Sequence, residues 1–220
     1  MKFIVSFTTS PTRIHKCQPM LKSILNQSRK PDLIILNIPK IFPRTGKQYS
    51  VPKNVSEHVV VNVIEKDLGP GTKIIPTIKY LNDNNYDKDD TRIIYLDDDI
   101  KYMNKMIECY EKNIEINDNS TWTATGFDFI NFQLNGKRNN KDNCIIAEGY
   151  GAVCVKLSIF EDDFFEYINK YIDDNTDRLP DLSSQLVGQI KQDKRSKQLE
   201  FNLNDDVPKQ LSKFFIMCAK

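Results

Sequence analysis

Three consecutive carboxylates, Asp97, Asp98 and Asp99, follow directly on the run Ile93-Ile94-Tyr95-Leu96. β-Branched and aromatic residues in such a run predict a short strand, with the acidic triplet at its end. Adjacent carboxylates repel one another, and a cation or a donor-rich ligand offsets that repulsion. Hard oxygen donors favour Mg²⁺ or Mn²⁺ over zinc, and Mg²⁺ commonly completes its shell with phosphate oxygens and water. The triplet therefore suits a divalent metal and a phosphorylated substrate; the plainer reading is a solvated acidic turn. A second group, Asp67-Leu68-Gly69-Pro70-Gly71-Thr72-Lys73, reads as a turn. Its glycines permit close backbone approach to a ligand, and Lys73 can place an ammonium near phosphate. Here the plainer reading is a Gly-Pro turn followed by a solvated lysine. In a third group, Gly149, Tyr150 and Gly151 interrupt a strand-like stretch, where a bulge or close ligand approach is expected. Asp181, after Pro180, is placed to cap the helix that starts near Leu182.

The elements that must position these groups read as alternating strands and helices. Residues 2–7, 33–38 and 59–64 are continuous apolar runs of the kind covered on both faces of an α/β sheet. Between the first two, Cys17, Met20, Leu21, Ile24 and Leu25 recur at helical spacing, and Pro19 moves the helix start toward Gln18. Strand, helix, strand in this length is a βαβ unit with a right-handed connection. Residues 39–57, rich in proline and basic residues, predict a long loop with no firm structure. Ile74, Ile75, Ile78 and Leu81 predict a helix after Lys73, and Met106, Ile107, Tyr110 and Ile114 mark another whose stripe is core. Residues 121–132 and 144–155 are strand-like, separated by a polar hairpin or disordered loop. Helices are expected over 159–172, from Leu182 and over 209–218, with a short strand at 200–203. There is no internal repeat and no clean linker, so the expectation is one α/β domain over 1–220 with a mixed, mostly parallel central sheet flanked by helices.

Composition narrows the classes of function. The chain has 220 residues, 40% hydrophobic and 28% charged, with a formal net charge of +1, which argues against polyanion or membrane binding by bulk electrostatics. Cys17, Cys109, Cys144, Cys154 and Cys218 are odd in number and scattered, which predicts a reduced, intracellular, cytoplasmic protein rather than a disulfide framework. With only His15 and His58 available, both expected at the surface or at helix ends, a zinc site is not expected. No window approaches the roughly 18 apolar residues of a membrane span. The abundance of Asn, Lys, Ile and Asp fits AT-rich coding.

Four stretches in order, VSFTTSPTRI (residues 5–14), DLGPGTKIIP (67–76), YLDDDI (95–100) and EGYGAV with IFEDDFF (148–165), resemble the GT-A class of nucleotide-sugar-dependent glycosyltransferases, especially small viral and bacterial members. The resemblance implies a Rossmann-like sheet with a nucleotide-sugar-binding half, 1–100, and an acceptor-binding half, 101–220. It implies donor contacts from Thr8, Thr9, Arg13, Asp67, Gly69, Lys73, Asp97 and Asp98, and a Mn²⁺ or Mg²⁺ ion on Asp97 and Asp99. It also implies acceptor contacts from Glu148, Gly149 and Tyr150. Tyr150 and Trp122 have faces on which a sugar can stack, and for Trp122 core packing is an equal expectation. The partners implied are a UDP-sugar donor and a glycan or other hydroxyl acceptor, with no nucleic acid. Related transferases carry an Asp-Asp pair where this chain has Pro180-Asp181, so Asp181 is the expected general base, ahead of Asp163 and Glu148, and transfer with inversion would follow. Two other classes stay open: nucleotidyl transfer onto a sugar phosphate, against which stands the lack of glycine in Thr8-Thr9-Ser10-Pro11-Thr12-Arg13, and a binding module that keeps the fold without transfer.

Overall fold

Phe3, Val5 and Phe7 alternate with Ile4 and Ser6 along the first strand, and all five are buried. A strand buried on both faces belongs at the centre of a sheet covered on both sides. The computed structural model describes residues 1–116, 118, 121–123, 126–127, 146–147, 151–160 and 164–165. In chain order its elements are β1 (Lys2–Thr8), α1 (Gln18–Leu25), β2 (Leu33–Pro39), β3 (Ile41–Phe42), β4 (Lys47–Gln48), α2 (Lys53–Ser56), β5 (Val60–Ile64), α3 (Ile75–Asp83), β6 (Thr91–Leu96), α4 (Met106–Ile116), β7 (Trp122–Thr123), β8 (Gly126–Phe127), β9 (Ile146–Ala147) and β10 (Ala152–Lys156). The main sheet runs β5-β2-β1-β6-β10-β7. Its first four strands are parallel, and β10 is antiparallel to both β6 and β7. Val5 lies opposite Ile34 on one side and Ile94 on the other. This is the mixed, mostly parallel α/β sheet the strand-helix alternation predicts.

Helices cover both faces. On one, Met20, Leu21 and Ile24 of α1 and Ile107, Tyr110 and Ile114 of α4 share a core with Phe3, Val5 and Phe7. On the other, Ile75, Ile78 and Leu81 of α3 pack with Ile4, Ile35, Ile93 and Tyr95. Each such fully buried side chain is worth about 1.5–3 kcal/mol of hydrophobic stabilisation. Pro19 sits in the first turn of α1, where its missing N–H costs nothing. Buried Gln27 joins the end of α1 to the start of α4: its Nε2 donates to the carbonyls of Ser23 (3.0 Å) and Met103 (2.7 Å), and its Oε1 accepts from the Ile107 N–H (3.1 Å).

The connectivity decides where a ligand can sit. From β1 the chain steps outward through β2 to β5, then crosses back so that β6 lies on the far side of β1. The crevice beyond the carboxyl ends of β1 and β6 is the topological switch point, the usual ligand site of an open α/β sheet.

Residues 39–57 correct the expectation of a structureless loop. Ile41–Phe42 and Lys47–Gln48 pair as an antiparallel ribbon, followed by the short helix Lys53–Ser56. The ribbon turns on Gly46, at φ +66°, whose N–H donates to the Phe42 carbonyl at 2.9 Å. Two residues per strand leave no alternation to read in sequence. Tertiary contacts hold the ribbon: the Phe42 and Tyr49 rings meet edge to face at 6.2 Å, and the Tyr49 hydroxyl donates to the Thr9 carbonyl at 2.8 Å. The expected elements at 135–143 and beyond residue 165, and most of the expected helix at 159–172, lie outside the described residues.

Candidate functional site

A polar network under the sheet edge sets the height of the turn that carries Lys73. Ser6 of β1 donates to the Lys73 carbonyl at 2.5 Å, and its hydroxyl is 2.6 Å from that of Thr77 on α3. Asn37 of β2 donates to Ser6 (3.1 Å) and Thr77 (2.8 Å), and its own carbonyl oxygen accepts from Asn62 of β5 at 2.8 Å. Ser6, Asn37 and Thr77 are fully buried, so each bond that is lost leaves a desolvated group behind. Above this network, residues 69–73 form a 3₁₀ turn. Asp67 caps it, one oxygen accepting from the Gly69 N–H at 3.0 Å and the Thr72 hydroxyl at 2.9 Å. Gly69 has φ +57°, which a side chain would strain.

The acidic triplet is held from several sides. Buried Lys73 places its Nζ 2.9 Å from Oδ1 of Asp97 and over the ring of Tyr95. Oδ2 of Asp97 accepts from the N–H of Gly151 at 3.2 Å, and Gly151 adopts φ +83°. The Tyr102 hydroxyl lies 3.0 Å from the Asp97 N–H, from which it accepts, and 2.9 Å from the Gly151 carbonyl, to which it donates. Asp98 turns inward and is 8% exposed. Its Oδ2 accepts from the Thr9 hydroxyl at 2.5 Å, and its Oδ1 pairs with the Arg13 guanidinium. Burial pushes the Asp98 carboxyl above its ordinary range, while the Thr9 bond and the Arg13 charge pull the other way. The Asp99 side chain is 64% exposed and meets Arg13 at 2.8 Å.

These groups converge on a cleft of about 280 Å³ at the switch point. Thr8, Thr9, Arg13, Asp67, Gly69, Lys73, Asp97 and Asp98 all line it, so the eight residues expected to contact a donor share one wall-to-wall space. Asp99, expected to hold a metal with Asp97, stands at the rim rather than in the lining. Asp181, Asp163, Glu148, Gly149 and Tyr150 lie outside the described residues. Trp122 is half-buried against the core, and His15 and His58 are exposed. Sequence reasoning passed over Ser10, Phe42, Arg44 and Tyr49, which also line the cleft, and the network beneath it. The signal for the network was present: Ser6, Asn37 and Asn62 are polar residues inside otherwise apolar strands.

Electrostatics decide what the cleft can accept. Arg13, Arg44 and Lys73 face Asp67, Asp97 and Asp98, with Asp99 adding a further negative charge at the rim. An anionic diphosphate would enter a site with no surplus of positive charge, so a divalent cation would improve its binding. Among the described residues no three His, Cys, Asp or Glu side chains cluster to hold a metal. Mg²⁺ needs only one or two carboxylates when phosphate and water supply the rest. Asp97 and Asp99 carry the hard oxygen donors that such an ion takes. Among the described residues, no helix is long and apolar enough to cross a membrane.

No family model and no curated protein matches the chain. Solved structures similar to it include the following two. Residues 1–349 of Staphylococcus aureus TarS in complex with UDP align at 12% identity with a TM-score of 0.49, covering 74% of this chain and 49% of that one. An active-site mutant of LgtC aligns at 14% identity with a TM-score of 0.43, covering 80% of this chain and 65% of that one. The chain therefore spans about half of the first and just under two thirds of the second.

Proposed function

We propose that the protein is a glycosyltransferase of GT-A type that takes a UDP-sugar as donor and passes the sugar to a glycan or other hydroxyl acceptor. One observation carries the reading: at the switch point of the sheet, Lys73 and Arg13 are each fixed by a carboxylate of the acidic triplet beside a cleft. Fixed cations that need no reorganisation are what a departing diphosphate requires, because negative charge grows on it as the glycosidic bond breaks. Thr8, Thr9 and Asp67 would contact base and ribose, and Gly69 would let the backbone approach the diphosphate. A Mg²⁺ or Mn²⁺ ion on Asp97 and Asp99 would supply Lewis-acid stabilisation of the same charge. Asp181 would take the proton of the acceptor hydroxyl, an effect typically worth about 10²- to 10⁴-fold, with inversion at the anomeric carbon. Glu148, Gly149 and Tyr150 would hold the acceptor.

Titration calorimetry with UDP in the presence of Mn²⁺, followed by a UDP-sugar hydrolysis and transfer panel, tests the reading. Binding of UDP and cleavage of at least one UDP-sugar are expected. A dissociation constant weaker than about 1 mM for UDP with and without Mn²⁺ would remove it. An Asp181→Ala variant that binds UDP and keeps near wild-type transfer would remove the assignment of the base alone.

A further inference from the structure

The ribbon β3–β4 leaves the sheet from the end of β2, between β1, which ends at Thr8, and β5, which precedes Asp67, and three of its residues or neighbours, Phe42, Arg44 and Tyr49, line the cleft. Its base is fixed: the Tyr49 hydroxyl holds the Thr9 carbonyl, and the Phe42 ring stands edge-on to Tyr49. Its turn is fixed as well, by Pro43 and by the N–H groups of Thr45 and Gly46, which both donate to the Phe42 carbonyl (3.2 and 2.9 Å). Arg44 sits in that turn, exposed and facing the cleft. Of the three cations in the lining, Arg13 and Lys73 are each held by a carboxylate, whereas Arg44 forms no ion pair among the described residues. A guanidinium presents a planar fork of donors that matches phosphate oxygens, and holding it on an ordered turn lowers the entropy lost when it binds.

We infer that Arg44 is a ligand-binding residue for the diphosphate, carried on a ribbon that Tyr49 seats against the loop after β1. The inference rests on the proposed nucleotide-sugar reading and adds to it the cation that the acidic triplet does not neutralise. It also gives the ribbon a task in discrimination: a nucleoside diphosphate should gain more from Arg44 than the corresponding monophosphate does.

The test is the affinity of UDP and UMP for the wild-type chain and for Arg44→Ala, Arg44→Lys and Tyr49→Phe, with thermal melts as a folding control. Arg44→Ala is expected to melt like wild type and to weaken UDP about tenfold or more, with a smaller loss for UMP and a shallower dependence of UDP affinity on salt. Arg44→Lys should recover part of the loss, since the charge returns without the fork. Tyr49→Phe, which frees the ribbon from Thr9, should weaken UDP in the same direction. A wild-type chain that binds UDP while Arg44→Ala binds it within about twofold of wild type would overturn the inference and leave the functional reading standing. Equal losses for UDP and UMP would overturn the diphosphate assignment of Arg44. A wild-type chain that binds neither nucleotide would overturn the functional reading, and the inference with it.

Discussion

Replacing Lys73 by methionine removes a buried ammonium and keeps most of the side chain's length. At 2.9 Å from Asp97, the Coulomb attraction is about 6 kcal/mol at an effective dielectric of 20 and about 1.4 kcal/mol at that of water. The side chains are 10% and 21% exposed, so the environment lies between those limits and desolvation offsets a large part of the gain. The net coupling should be about 1–3 kcal/mol, and Lys73→Met alone should cost about 2–4 kcal/mol because it takes the Lys73 charge away from part-buried Asp97. Urea unfolding of wild type, Lys73→Met, Asp97→Asn and the double variant closes the cycle. The double variant should be less destabilised than the sum of the singles. Additivity within about 0.3 kcal/mol would refute the view that the two groups act as a fixed pair.

Asn37→Ala removes the hub that joins β1, β2, β5 and α3, and should cost about 2–3 kcal/mol in urea unfolding, while Asn37→Asp should cost more by burying a charge. Alkylation at neutral pH should modify exposed Cys109 and spare buried Cys17 and Cys154 in a chain whose Cys144 and Cys218 are changed to serine, as read by mass spectrometry. Burial pushes the Cys154 thiol up to about 12 from its ordinary 9.0. The folded chain therefore keeps a proton that the unfolded chain loses, and stability should fall as pH rises from the unfolded value toward the folded one; Cys154→Ala should reduce that slope in melts across this window. The Asp98 carboxyl is raised in the folded state, chiefly by burial, so its contribution also declines as pH climbs above the ordinary 3.8. Asp98→Asn should remove this falling contribution, so that stability rises more steeply with pH on the acid limb, and should weaken UDP binding; an unchanged limb would contradict the burial argument.

Much of the sheet was legible because its strands are short apolar runs bounded by polar turns, and the βαβ spacing leaves a parallel arrangement as the natural outcome. The helix start at Gln18 could be placed from Pro19, because proline fits a helix best in its first turn. The ribbon at 41–48 was not legible, since its stability comes from Tyr49 reaching Thr9 across 40 residues rather than from any local pattern. The same holds for Tyr102 and Gln27, whose partners lie far along the chain.

By itself the sequence determined which residue types stand at the strand ends: a hydroxyl pair and Arg13 after β1, a capped glycine turn and Lys73 after β5, and three carboxylates after β6. Local propensity and covalent order were enough for that. Only the tertiary structure decided which carboxylate faces which cation, because the strand order β5-β2-β1-β6 brings side chains from 24 to 89 residues apart into one crevice. It turned Asp98 inward onto Thr9 and Arg13, left Asp99 at the rim, and set Arg44 over the cleft without a partner carboxylate among the described residues. Those choices follow from register and burial, which depend on contacts between distant segments that no local window of residues contains.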